Sequence, residues 1–190
     1  TAALFGYLNK PAVVKNLRIV SGAVNTTGVS GTAAFAGIMK NGSMLLNCAN
    51  EASVTSKSSN TGGIVGKMEA GSSVWNCYNT GAVTSSSYVI GGIAGVADNL
   101  YNCYNLGDVT SNWNNTGSLR VGGVAGVSSG YQSSNTKNVL SNCYNAGKIT
   151  TVNGSTKEVG LILGNGNNGS TWSPSPVTLT NCWGLQTDTI

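Results

Sequence analysis

Histidine is absent from all 190 residues. Its absence removes the commonest general base, every triad built on an imidazole, and the usual nitrogen ligand of zinc. Charge is nearly as scarce: Asp, Glu, Lys and Arg make up 8% of the chain, and the net +4 is scattered rather than clustered. With no basic stripe to follow a phosphate backbone, no nucleic-acid partner is expected. No apolar run reaches the ~18–20 residues of a membrane-spanning helix, so the chain is not expected to span a membrane. The six acids, Glu51, Glu69, Asp98, Asp108, Glu158 and Asp188, fall at unrelated positions. Glycoside hydrolysis needs two facing carboxyls, and calcium needs grouped ones. Neither catalytic residues nor a metal or cofactor site are therefore expected, and the chain is read as a non-enzyme.

What the chain has instead is a repeat. A glycine-rich motif ends at Gly6, Gly37, Gly66, Gly95, Gly126 and Gly164, at steps of 31, 29, 29, 31 and 38 residues. Its clearest copies are Thr61-Gly62-Gly63-Ile64-Val65-Gly66, Ile90-Gly91-Gly92-Ile93-Ala94-Gly95 and Val121-Gly122-Gly123-Val124-Ala125-Gly126. A second motif follows each of the last five: Asn47-Cys48-Ala49-Asn50, Asn76-Cys77-Tyr78-Asn79, Asn102-Cys103-Tyr104-Asn105, Asn142-Cys143-Tyr144-Asn145 and Asn181-Cys182-Trp183. Asn16-Leu17-Arg18 holds the same place in the first unit. The distance from glycine to cysteine, or to Leu17, is 11 in the first three units and then 8, 17 and 18. The long intervals carry 128–137 and 165–176, rich in Ser, Asn, Gly and Thr, which reads as surface loop. No Lys-Ser/Thr follows the glycines, so they do not form a phosphate loop.

Six copies of about 30 residues point to one elongated domain over 1–190, with each unit touching its neighbours. Helix formers are few, and segments such as Gly81-Ala82-Val83-Thr84-Ser85 carry the β-branched alternation of strands. The expected fold is all-β: a parallel β-helix, or β-solenoid, of six coils with two or three short strands in each. Equivalent strands would pair ~4.8 Å apart, giving a stack of about 29 Å. Three aliphatic columns mark the interior: Leu45, Val74, Leu100, Leu140 and Leu179; Val54, Val83, Val109 and Ile149; Leu4, Phe35, Ile64, Ile93, Val124 and Ile162. The first column and the cysteines lie an odd number of residues apart. Both can point inward only if a corner falls at the asparagine between them. Paired glycines suit a second corner, needing a positive φ or close backbone approach.

The five cysteines, spaced 29, 26, 40 and 39 apart, do not fit a zinc ribbon and read as a column of buried thiols. A disulfide between adjacent coils is the alternative. The asparagine columns read as amide ladders at turns. Trp75 and Tyr101 precede the Asn-Cys pair, while Tyr78, Tyr104, Tyr144 and Trp183 follow the cysteine. Both positions also hold polar or charged residues, which places them outside. These six rings are the candidate ligand-binding residues, as a platform for sugar rings or a protein partner. The plainer reading is that they shield and stiffen the sheet. Thr55, Thr84, Thr110 and Thr150 form an outward file, too narrow for an ice-binding plane. Sequons such as Asn25-Thr26-Thr27 and Asn114-Asn115-Thr116 are what chance supplies in such a composition.

The linked motifs resemble the GLUG-motif repeats of bacterial surface proteins. Leu4-Phe5-Gly6-Tyr7-Leu8 with Val13-Val14-Lys15-Asn16-Leu17 is similar to the opening coil of such arrays. The resemblance covers nearly the whole chain and departs at Ala33-Ala34 and Gly160-Leu161, where the glycine pair is lost. It implies a right-handed parallel β-helix within a large secreted or wall-attached protein, adhesin-like or a bacterial immunoglobulin A metallopeptidase. Catalysis in the latter resides in another domain. The chain therefore reads as an internal piece of a longer extracellular protein. The function expected is a structural and adhesive module that spaces or presents other domains, with host or cell-surface glycans or proteins as partners. A carbohydrate-binding module, or an accessory domain of a secreted protease or polysaccharide-degrading enzyme, is the alternative.

Overall fold

The computed structural model describes residues 1–9, 11–69, 71–115, 117–129, 138–152, 158–165 and 177–185. Its strands are two to four residues long and every pairing between them is parallel. They form five ladders, or faces, in strict rotation. In the third coil these are Thr61–Gly62, Val65–Met68, Ser73–Trp75, Tyr78–Asn79 and Val83–Ser85, the first to fifth faces in that order. The second, third and fourth faces hold six strands each, the fifth holds five and the first holds four. Bridges Ala2↔Thr32 and Thr32↔Thr61 extend the first face to the opening coil. The chain is thus a β-solenoid with the expected six turns.

The number of strands per coil differs from the sequence reading: five, where two or three were expected. Bends recur too often for longer strands. One sits at the asparagine before each cysteine. Asn16, Asn47, Asn76, Asn102, Asn142 and Asn181 all adopt left-handed backbone, with φ between 49° and 57°. Asparagine tolerates this region better than other side chains with a Cβ. The bend separates the third face from the fourth and allows residues on both sides of it to point inward, as the odd spacing required. Leu45, Val74, Leu100 and Leu140 are fully buried, and so are Cys48, Cys77, Cys103 and Cys143.

The glycine corner is made by close approach and not by positive φ. A Cβ on Gly63, Gly92 or Gly123 would collide first with the carbonyl oxygen of Gly92, Gly123 or Leu161 in the next coil, and then with the amide of Asn79, Asn105 or Asn145 in its own coil. The second glycine therefore clears space for the asparagine that ends the second motif, which ties the two motifs together across the interior. The sixth coil solves the same problem in reverse. Leu161 replaces the second glycine, Gly184 stands in register with Asn145, and a Cβ on Gly184 would collide with Leu161. Bulk has moved from one wall to the other.

The main core runs along Phe35, Ile64, Ile93 and Val124 beside the leucine and cysteine columns, and a second cluster joins Val83 and Val109 to Ile90, Leu119 and Val121. Each large aliphatic side chain withdrawn from water contributes about 1.5–3 kcal/mol. Two members expected inside are not. Leu4 is 56% and Leu179 50% exposed, because each belongs to a terminal coil with a described neighbour on one side only. Ile149 and Ile162 are half-buried. The insertions at 130–137 and 166–176, and Asp188, lie outside the described residues.

Candidate functional site

The six aromatic candidates fall on two adjacent faces, on either side of the left-handed asparagines. On the third face the outward register runs Lys15, Leu46, Trp75, Tyr101, Ser141, Thr180. On the fourth it runs Arg18, Ala49, Tyr78, Tyr104, Tyr144, Trp183. Trp75 and Tyr101 stack with centroids 3.8 Å apart and planes 20° apart. Tyr78 and Tyr104 stack at 4.9 Å and 5°, Tyr104 and Tyr144 at 5.0 Å and 3°. These spacings are too short for coplanar rings side by side. The rings therefore cover one another's flat faces along the axis and turn their edges outward.

Exposure grows toward the last coil: Tyr78 and Tyr104 are half-buried, Tyr144 is 40% and Trp183 73% exposed. The Trp75 indole N–H is buried and finds no acceptor among the described residues, so it offers nothing outward. Burial raises the pKa of the Tyr104 phenol, and the neighbouring Tyr144 and Tyr78 add to the rise. Arg18, at the other end of the fourth face, forms an ion pair with Glu51 that raises its own pKa.

Between the two ring files runs a ridge of amides. Asn181 donates to Asn142, Asn142 to Asn102, Asn102 to Asn76, Asn76 to Asn47 and Asn47 to Asn16, at 2.9–3.1 Å. A second file lies inside and runs the opposite way. Asn50 donates to Asn79, Asn79 to Asn105 and Asn105 to Asn145, at 2.7–2.8 Å. The second amide proton of each inner asparagine goes to the carbonyl two residues on, as from Asn79 to Gly81 at 2.8 Å. Both columns are the ladders expected, and their hydrogen bonds are committed to the fold.

All five cysteines are free thiols. Each donates to the carbonyl two residues earlier, from 3.1 Å for Cys77 to Trp75 up to 3.4 Å for Cys182 to Thr180. Burial pushes the Cys103 thiol well above the ordinary thiol range. A hydrogen bond to Cys48, and then burial, pushes Cys77 up as well. Cys77 and Cys103, protonated and enclosed, are poor nucleophiles. The hydrogen bonds they give push their partners Cys48 and Cys143 below the ordinary thiol range, and Cys182 is only half-buried.

The described acids are dispersed and occupied. Glu69 meets Lys67 at 3.2 Å and Lys40 at 3.3 Å, Glu158 meets Arg120 at 2.9 Å, and Asp108 accepts the Lys148 backbone N–H at 3.0 Å. Among the described residues no three metal-type ligands come together. Two buried polar features escaped the sequence reading. Ser56, Ser85 and Ser111 form an inward file on the fifth face, with Ser56 bonded to Thr32 at 3.3 Å and Thr61 bonded to Ser85 at 3.2 Å. Simple alternation past Val54, Val83 and Val109 would have found it. Asp98 is buried where the fourth coil omits the turn that its predecessors make. Its pKa is raised by burial, against hydrogen bonds from Ser129 and the Gly71 and Ser72 amides. The shortened interval between Gly95 and Cys103 marks the place in the sequence, but not the burial of the carboxyl.

No family model, curated protein or solved structure matches the chain.

Proposed function

We propose that this chain is a non-catalytic extracellular module of a bacterial surface protein, a stiff spacer that presents neighbouring domains and contributes to adhesion, as the GLUG-like repeats imply. One observation carries the reading: like residues superimpose from coil to coil along the interior and the asparagine ridge, so that core, amides and thiols are spent on contacts between coils. Such a stack has a length proportional to its number of coils. Joined between two folded reporter domains, the chain should hold them at a narrow distance, measured by dipolar spectroscopy between spin labels. Deleting residues 61–89, one full coil, should shorten that distance by about 4.8 Å. A broad distance distribution, or one indifferent to the deletion, would sink the spacer reading.

The exposed rings favour a second reading, a glycan-binding flank. With ring faces covered by neighbours, contact along the file is limited to edges and hydroxyls, and Trp183 is the most exposed of the six rings. Binding on a glycan array that disappears with Trp183→Ala and Tyr144→Ala would support it, and binding untouched by both changes would count against it.

A further inference from the structure

Three phenols stand in contact on the fourth face. Tyr78 is in register with Tyr104, and Tyr104 with Tyr144, with ring centroids 4.9 and 5.0 Å apart and planes within 5°. Ala49 and Trp183 occupy the register positions on either side, so the file holds three phenols and no more. The other described tyrosines have different neighbours: Tyr101 stacks on Trp75, Tyr88 meets Trp113 edge-on, and Tyr7 is in register with Ile38.

We propose that the Tyr78–Tyr104–Tyr144 file is an oxidative cross-linking site, at which neighbouring phenols are joined coil to coil by a carbon–carbon bond when a haem peroxidase supplied with hydrogen peroxide acts on the chain. The peroxide takes two electrons from the haem enzyme, which recovers one from each of two phenols as each releases its phenolic proton. Spin in a phenoxyl radical resides partly on the ring carbons next to the oxygen. Two such Cε carbons form the new bond, and the hydrogen displaced from each returns as a proton to its oxygen, restoring both phenols. In sum, two ring C–H bonds are replaced by one C–C bond, and one peroxide becomes two waters.

The fold supplies what a flexible chain lacks. Adjacent rings are held at one rung spacing with nearly parallel planes, so a radical formed on one phenol already faces its partner. Burial and its two neighbours raise the pKa of the Tyr104 phenol, so it enters the reaction protonated. Tyr78 and Tyr144 are two rungs apart, about 9.6 Å, and do not meet. Tyr104 is therefore a member of every link the file can form. The inference stands on the fold and the ring geometry and is independent of the spacer reading.

The test treats the 190-residue chain with haem peroxidase and hydrogen peroxide, then reads biphenol fluorescence and the masses of joined peptides in the monomer fraction. The expected product has lost two hydrogens and links Tyr104 to Tyr78 or Tyr144, with a yield independent of protein concentration. Tyr104→Phe should lower that yield at least ten-fold, and so should Tyr78→Phe combined with Tyr144→Phe. Either single end variant should retain the link to the remaining neighbour. Should one variant lose its β spectrum, the other still decides the matter. No link in the monomer, a link that survives unchanged in the folded Tyr104→Phe protein, or links centred on Tyr7, Tyr88 or Tyr101 would overturn the proposal.

Discussion

Cys103 and Tyr104 are consecutive residues, and each belongs to a file that climbs the stack one rung at a time. The thiol is fully buried and bonded to the Tyr101 carbonyl, whereas the phenol looks outward and is packed between two other phenols. Identical registers thus produce opposite chemistry one residue apart. Inside, the file is dry, and each member is confined by the opposite wall as well as by its neighbours above and below. Outside, only the neighbours above and below constrain it. Tolerance to substitution should differ accordingly.

The widest gap should come from placing a charge in each file. Cys103→Asp should cost about 4 kcal/mol or more, since a carboxylate there is enclosed without a counter-charge. Tyr104→Asp should cost about 1 kcal/mol, the scale of a lost surface stack. Urea denaturation of the two variants measures the difference, and near-equal losses would erase the distinction. Next in size, Gly92→Leu should cost about 3 kcal/mol by collision with the Gly123 carbonyl and with the Asn105 amide. Adding Asn105→Gly removes the second of these collisions but not the first, and should recover about 1 kcal/mol at most, measured as the coupling in a double-mutant cycle. Additive losses would show that the two walls do not share that space.

The two amide files sharpen the contrast at lower energy. Asn105→Ala should cost about 2 kcal/mol, because it strands buried hydrogen-bond partners. Asn102→Gly, on the exposed ridge with left-handed backbone, should cost less than about 1 kcal/mol, since glycine accepts that φ without strain. Thermal melts of the pair check the order.

A pH dependence belongs to the interior alone. Burial raises the Asp98 pKa in the fold above its ordinary value of 3.8. Its stabilising share is complete below that value and disappears as pH rises through the folded one. Wild type should therefore lose ground to Asp98→Asn as pH climbs out of the acid range, and a difference that stays flat with pH would contradict the assignment. The smallest effect lies outside: Arg18→Ala breaks an exposed ion pair with Glu51 and should leave the urea midpoint indistinguishable from wild type at moderate salt.

Columns were the legible part of this protein. The period, the leucine and valine files, the thiol column, the corner at Asn76 and its equivalents, and the outward turn of Tyr78 and Tyr104 all followed from reading one coil above another. Contacts across a coil were not legible in that way. Gly63 and Asn79 meet because the wall between them folds through several bends, and no spacing rule states how many. The same blindness hid the five faces, the Leu161–Gly184 exchange and the burial of Asp98. The orientation of the rings escaped for another reason. An outward position does not say whether a phenol lies flat on the sheet or stands stacked, and a spacing of about 5 Å leaves room only for the second.

Repetition alone was enough to dictate a parallel stack and the residue types that recur along it, because every coil must satisfy the same neighbour above and below. Which opposite walls touch, how often the chain bends, and which side of a ring meets water were settled only in three dimensions, where residues far apart in a coil, such as Gly63 and Asn79, share one volume.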